Sequence, residues 1–214
     1  MRTSSSTVHS TSNTIKLHEL QYTWVKPDLT ATVSVVAQAL CREPTGELWH
    51  DVEEHLDSGE FALSVYHNSK LIGFMIFTVP VENVLYIAGT MIRPEYQGLG
   101  IKALGTRLTM QVFPQTKYFA GRTQSPIVWS SVAKISDKIL PHPSKHDPEL
   151  ELIQQEVARA LKMSASLEQG FYGGPLYGEK PVHRNPDVQV WWNSFINFER
   201  GDAVLYLARF ANGR

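Results

Sequence analysis

The sequence predicts an α/β (α+β) domain. Apolar residues recur with a period of two in several short segments and with helical spacing in others. Turn-forming residues separate these segments. The chain is also 43% hydrophobic and 19% charged over 214 residues, a balance that suits a packed core rather than a disordered polymer.

Residues 1–14 stand apart from that pattern. They hold nine Ser/Thr between Thr3 and Thr14, no acid and no apolar stretch, so they read as a disordered tail rather than a secretory signal. One domain is expected over residues 15–214. Ile15 to Lys26 alternates like a strand and is stopped by Pro27. Leu29–Cys41 reads as a short helix despite its β-branched residues. A second helix starts at a Thr45 cap, aligns Leu48, Val52 and Leu56, and ends at Gly59.

Two strands follow, FALSVYH and LIGFMIFTV, joined by the turn Asn68-Ser69-Lys70. VLYIAGTMI is a further strand. Leu104, Leu108 and Val112 then share a helix face, so a helix runs from Gly100 or Ile101 to before Pro114. KYFAGRT reads as a strand and IVWSSVAKIS as a short helix after Pro126. Six prolines punctuate residues 138–187. Inside that segment a helix is capped by Asp147, with Pro148 in its first turn and a stripe of Leu150, Ile153, Val157 and Leu161. The end, VQVWWNSFINFERGDAVLYLARF, reads as a hairpin turning at Gly201-Asp202. That turn accounts for the Arg-Gly-Asp triplet without an adhesive function.

Composition excludes several function classes. The net charge of −1 creates no overall field toward nucleic acid or a membrane surface. No apolar run approaches the roughly 20 residues of a membrane span. Cys41 is the only cysteine, which rules out an internal disulfide and a Cys-based zinc site and fits a cytoplasmic location. His50 and His55 share no helix face, and Pro143 interrupts a helix between His142 and His146. No metal site is expected. Trp191-Trp192 and Phe171-Tyr172 are read as packing residues, with an acceptor pocket or a homodimer contact as the alternative.

Gln97-Gly98-Leu99-Gly100 lies between an apolar strand and an amphipathic helix. Free N–H groups at a helix start attract anions, and glycine lets them approach a phosphate closely. No Asp or Glu falls between Tyr96 and Ser136, while Lys102, Arg107, Lys117, Arg122 and Lys134 do. Gly98-x-Gly100-x-x-Ala103 also fits a dinucleotide fingerprint. That pattern wants an acid about 20 residues later, and none occurs before Asp137. Arg122 facing a 2′-phosphate keeps this alternative open.

The segment Met91-Ile-Arg-Pro-Glu-Tyr-Gln-Gly-Leu-Gly-Ile-Lys-Ala-Leu resembles the acetyl-CoA-binding motif of the Gcn5-related N-acetyltransferase (GNAT) superfamily. Gln97 and Gly100 match its [RQ]-x-x-G-x-[GA] pattern, and the order of elements is similar over roughly residues 15–136 and 188–211. The resemblance implies a GNAT-like mixed, mostly antiparallel central sheet flanked by helices, with an inserted helical and loop segment at about 138–187. It implies acetyl-CoA, or another acyl-CoA, as cosubstrate. The N–H groups of Gln97, Gly98, Leu99, Gly100, Ile101 and Lys102 would bind its diphosphate. Backbone near Met91 and Ile92 would bind its pantetheine arm, with Ser125 a further contact. The acceptor would be a small-molecule amine or a protein amino group.

Lys102 stands where the family has a small residue, Ser125 where it often has Asn, and Val132 where a proton-donating Tyr is common. No catalytic acid or base is therefore assigned. Glu82, Tyr86 and Thr90 are the nearest groups to consider for deprotonating the amine. The alternative is a non-catalytic CoA-binding or protein-interaction module on the same fold.

Overall fold

The computed structural model describes residues 14–17, 19–164, 166–176 and 178–210. Its spine is an antiparallel meander of β3 (Phe61–His67), β4 (Lys70–Val81) and β5 (Val84–Ile92). The predicted turn closes β3 onto β4 because Asn68 and Ser69 both take positive φ, 48° and 64°, the geometry of a tight two-residue hairpin. Asn83, φ 64°, closes β4 onto β5.

The single strand expected over Ile15–Lys26 is instead two. β1 (Thr14–Leu17) and β2 (Leu20–Thr23) form a hairpin, Leu17 facing Leu20, and β2 pairs with β3. Continuous period-two alternation cannot reveal a tight turn in its middle. The expected tail lies outside the described residues, except for Thr14, which opens β1.

β6 (Tyr118–Thr123) runs parallel to β5, and β9 (Ala203–Arg209) runs antiparallel to β6. β7 (Lys138–Leu140) and β8 (Leu167–Glu168) both pair with the other edge of β9. The order is β1-β2-β3-β4-β5-β6-β9-β7, with β8 also on β9. Among the described residues β5–β6 is the one parallel pairing. The sheet is therefore mixed and mostly antiparallel, as the resemblance implies. It is not the repeating parallel sheet that a dinucleotide fold requires.

Helices cover both faces. α3 (Ile101–Val112), α4 (Pro126–Ala133) and α6 (Pro186–Asn193) pack on one, where Ile101, Leu108, Trp129 and Trp192 meet Leu63, Met75, Phe119 and Tyr206. α1 (Leu29–Leu40) and α2 (Gly46–Ser58) lie on the other, over Ala62, Phe74 and Ile76. α5 (Pro148–Ala160) extends that second face over Val84, Tyr86, Ala120, Leu205 and Leu207. Burial of Val33, Val35 and Val36 holds α1 helical against its weak propensity. Thr45 and Asp147 cap α2 and α5 as expected.

The predicted C-terminal hairpin is a helix followed by one strand. Asn185 caps α6 through Asp187 N (2.8 Å), and Pro186 suits its first turn. Val188, Val190 and Trp192 alternate, but a period of two over so few residues does not exclude a helix. Trp192, 1% exposed, donates to Gln124 O and packs on Trp129 and Trp191. In the Arg-Gly-Asp triplet the Asp202 side chain is wholly buried and paired with Arg200.

Candidate active site

β5 and β6 pair only from Val84–Tyr118 to Ile87–Gly121. Beyond that point β5 stays with β4 as far as Ile92, while β6 stays with β9 as far as Thr123. The two parallel strands thus separate, and residues 88–92 keep one edge without a strand partner among the described residues. A register shift between Ile76 and Phe77 leaves Ala88 as an extra residue in β5, opposite the start of the split. Such a bulge bends its strand.

The glycine corner sits at the open end of this split. Arg93, 3% exposed, fixes the end of β5. It donates to Leu71 O (2.9 Å), to Ser34 Oγ on α1 (3.1 Å) and to Gln38 Oε1. A single 3-10 turn, Pro94–Tyr96, then leads into the corner. Gln97 turns its side-chain amide back to Ile92 O (2.9 Å). Gly98 and Gly100 take φ of +78° and +77°, which only glycine adopts without strain, and a Cβ at either would project into open space.

Gly100 caps α3 with no side-chain hydrogen bond. Of the six amides expected to meet a diphosphate, that of Gln97 instead donates to Pro94 O (3.1 Å) in closing the 3-10 turn, while those of Gly98, Leu99, Gly100, Ile101 and Lys102 donate to no acceptor among the described residues. Five free donors at one helix end, in front of an open corner, suit an anion. Leu99 marks the rim at 68% exposed.

The remaining predicted residues are placed unevenly. Met91 and Ile92 pair with Phe74 and Gly73 on β4, so their other edge faces the split. Ser125, 3% exposed, caps α4 by accepting from Val128 N (3.4 Å), and its own N–H donates to Thr123 Oγ1 (2.9 Å). Lys102 has its amide at the corner and a half-buried side chain turned inward, with Nζ 6.0 Å from the centre of the Tyr206 ring. Burial pushes that ammonium down to about 8. Val132 is a core residue, 1% exposed.

Glu82 lies in the turn before β5, at the opposite end of the strand from the split, which removes it as a base. Thr90 pairs with Met75, and its Oγ1 is buried with no partner among the described residues.

A polar cluster that sequence reasoning missed lies on the second face, beside the split. Arg122, one residue past the last β5–β6 pair, donates Nε to Tyr86 Oη (2.9 Å) and Nη1 to Glu168 Oε2 (3.3 Å). Its guanidinium lies 3.9 Å from the Phe171 ring centre. Burial raises the Tyr86 phenol, with Arg122 opposing. The Arg122 contact with a 2′-phosphate, required by the dinucleotide alternative, is thereby lost to Glu168. The sequence marks Arg122 as a cation, but β8 is two residues long and carries no signal that would bring Glu168 to it.

Gln124, 1% exposed, ties the same region down by donating to Gly174 O (3.2 Å) and Phe198 O (3.3 Å) and accepting from Leu176 N (2.9 Å). Among the described residues no group of three or more His, Cys, Asp or Glu is arranged to hold a metal, and no helix is long and apolar enough to cross a membrane.

Solved acetyltransferase structures share the overall fold of this chain. The solved structure of a GNAT family acetyltransferase from Elizabethkingia anophelis with acetyl-CoA bound shares it, with a TM-score of 0.52 and 14% identity over 91% of this chain and 100% of that one. So does an IAA acetyltransferase from Bacillus cereus, with a TM-score of 0.50 and 13% identity over 89% and 99%. The model of the acetyltransferase (GNAT) family matches residues 21–113, from β2 to the end of α3. The resemblance drawn from the motif therefore holds. No curated protein matches the chain significantly.

Proposed function

We propose that the protein is an N-acyltransferase that moves an acetyl or related acyl group from acyl-CoA to an amine. The observation that carries this reading is the row of five unsatisfied amides, Gly98 to Lys102, opening beside the β5–β6 split. These amides would hold the diphosphate. The free edge of β5 at Met91 and Ile92 would take the pantetheine arm as an added strand, and an N–H there would polarise the thioester carbonyl. Thr90 Oγ1, buried and unpartnered among the described residues, is a polar group fitted to that arm. Acyl-CoA supplies the activated acyl carbon.

The acceptor would approach from the other face of the split. α3 and its corner lie on one face of the sheet, and Tyr86 on the other, where Arg122 and Glu168 join it. An amine of ordinary pKa near 10.4 is about one part in a thousand neutral at pH 7, so a nearby carboxylate assists. Glu168 is the carboxylate in this cluster. The segment 138–187 would shape the acceptor side by delivering it together with Phe171.

Calorimetry with CoA and a thiol-release assay with acetyl-CoA across a panel of amines test the reading. Micromolar CoA binding and turnover of at least one amine are expected. Absence of CoA binding overturns it, and binding without turnover on a broad panel favours the non-catalytic module.

A further inference from the structure

When a thioester is cleaved by an amine, the sulfur departs with an electron pair and needs a proton. Val132 is a buried valine and has none to give. Within the sheet, Tyr206 on β9 stands under the apex of the β5–β6 split. A Cβ on Gly121 would lie 2.5 Å from Tyr206 Oη and 2.8 Å from Ile87 Cγ2, and Gly121 and Ile87 are the last pair before the strands part. The Lys102 side chain descends from the first turn of α3 over this ring, with Nζ 6.0 Å from its centre.

We propose that Lys102 is the proton donor to the departing sulfur, held over Tyr206 at the apex of the split. This rests on the acyltransferase reading above. The acceptor nitrogen bonds to the acyl carbon, and the carbon–sulfur bond breaks with its electron pair on sulfur. The Lys102 ammonium gives its proton to that sulfur. The new amide nitrogen loses its surplus proton to water, and the Lys102 amine regains a proton from water.

The surroundings favour this role over packing alone. Among the described residues no acid faces Lys102: β3 and β4 present Leu63 and Met75 to α3, and α4 contributes Trp129 and Val132. On β6, Arg122 points to the opposite face with Tyr86 and Glu168. On β9, Tyr206 is the titratable neighbour. An apolar residue would fill the same place without desolvating a cation, so the charge needs a use. Burial brings the ammonium to about 8, close to the roughly 8.5 of a thiol, where proton transfer between them is nearly balanced.

The test compares wild type, Lys102→Met and Lys102→Arg. CoA affinity is read by calorimetry, the ionisation of bound CoA thiol by thiolate ultraviolet absorbance against pH, and kcat against pH. Lys102→Met keeps CoA affinity within about threefold but lowers kcat by about 100-fold or more. It raises the bound thiol pKa and removes the fall in kcat above about pH 8. Lys102→Arg keeps a fixed charge that cannot transfer a proton at these pH values. It holds the bound thiol low yet does not restore kcat.

Unchanged kcat and unchanged thiol ionisation in Lys102→Met overturn the proposal. Equal losses of CoA affinity and kcat also overturn it, by making Lys102 a binding residue only. Wild-type protein that binds no CoA overturns the acyltransferase reading itself, and this assignment with it.

Discussion

The turn into the glycine corner is closed by bonds between near neighbours, and the Arg93 side chain anchors it to Leu71, Ser34 and Gln38. Tyr96 N donates to Arg93 O, Gln97 N to Pro94 O, and the Gln97 side chain to Ile92 O. The segment 138–187 is held largely by distant partners. Gln154 Nε2 donates to Leu205 O (2.7 Å), Leu205 N to Ser166 O (2.7 Å), and Gly170 N to Asp202 Oδ1 (2.9 Å). Tyr172 N donates to Gly201 O (2.9 Å). β7 and β8 exist only as additions to β9. The first region owes its turns to its own residues and its placement to the Arg93 anchor. The second is an attachment whose shape β9 dictates, and it carries Glu168 and Phe171 to Arg122.

Substituting the corner glycines is the strongest way to sharpen this contrast. Gly98→Leu with Gly100→Leu places two Cβ atoms at positive φ in front of the amides. CoA affinity falls by roughly 100-fold or more, while each substitution costs only about 1–2 kcal/mol of stability. Calorimetry and thermal melts separate the two effects. Equal losses in both would mean that the corner also supports the fold.

The attachment breaks differently. At Gly201, φ +83°, a Cβ would lie 2.4 Å from Gly174 N. Gly201→Ala costs about 2–4 kcal/mol through backbone strain and overlap, read by urea unfolding, and leaves CoA affinity within about twofold. Loss of CoA binding would show the two regions to be coupled. A smaller effect is expected for Gln154→Leu, which removes the donor to the buried Leu205 carbonyl at a cost of about 1–3 kcal/mol.

The smallest effect is a pH dependence. Asp202 accepts from Arg200, Asn197 N and Gly170 N, and the Arg200 bond above all lowers its carboxyl to about 2 from an ordinary 3.8. Its folded pKa is below its unfolded one. The stabilisation is therefore complete above about pH 4 and is lost as pH falls toward 2. With Arg200 half exposed, the contribution is about 1–2 kcal/mol. Asp202→Asn flattens the acid limb of the wild-type stability curve by that amount, measured by urea unfolding between these pH values.

Much of this contrast was legible in the chain. Thr45 and Asp147 cap helices where their side chains can reach N–H groups three residues on. Asn68-Ser69 turns a hairpin, and Gly98 and Gly100 occupy positions that only glycine fills at ease. The corner was readable because a motif of contiguous residues fixes its own geometry. Two readings failed for a common reason. The alternation over residues 15–26 concealed the turn between β1 and β2, and that over 188–192 concealed α6. A period of two reports which side chains are apolar, not which partner buries them.

By itself, then, the sequence determined the mixed α/β class, the capped helices, the hairpin turns and the row of amides at Gly98–Lys102. Each depends on φ preferences or hydrogen bonds spanning a few residues. Tertiary structure alone decided that Lys102 turns inward to Tyr206, that Glu168 meets Arg122, that Glu82 stands at the far end of β5, and that Val132 is core. Those facts depend on which strands lie side by side and where β5 leaves β6. That is settled by burying apolar surface between segments far apart in the chain, which no local pattern encodes.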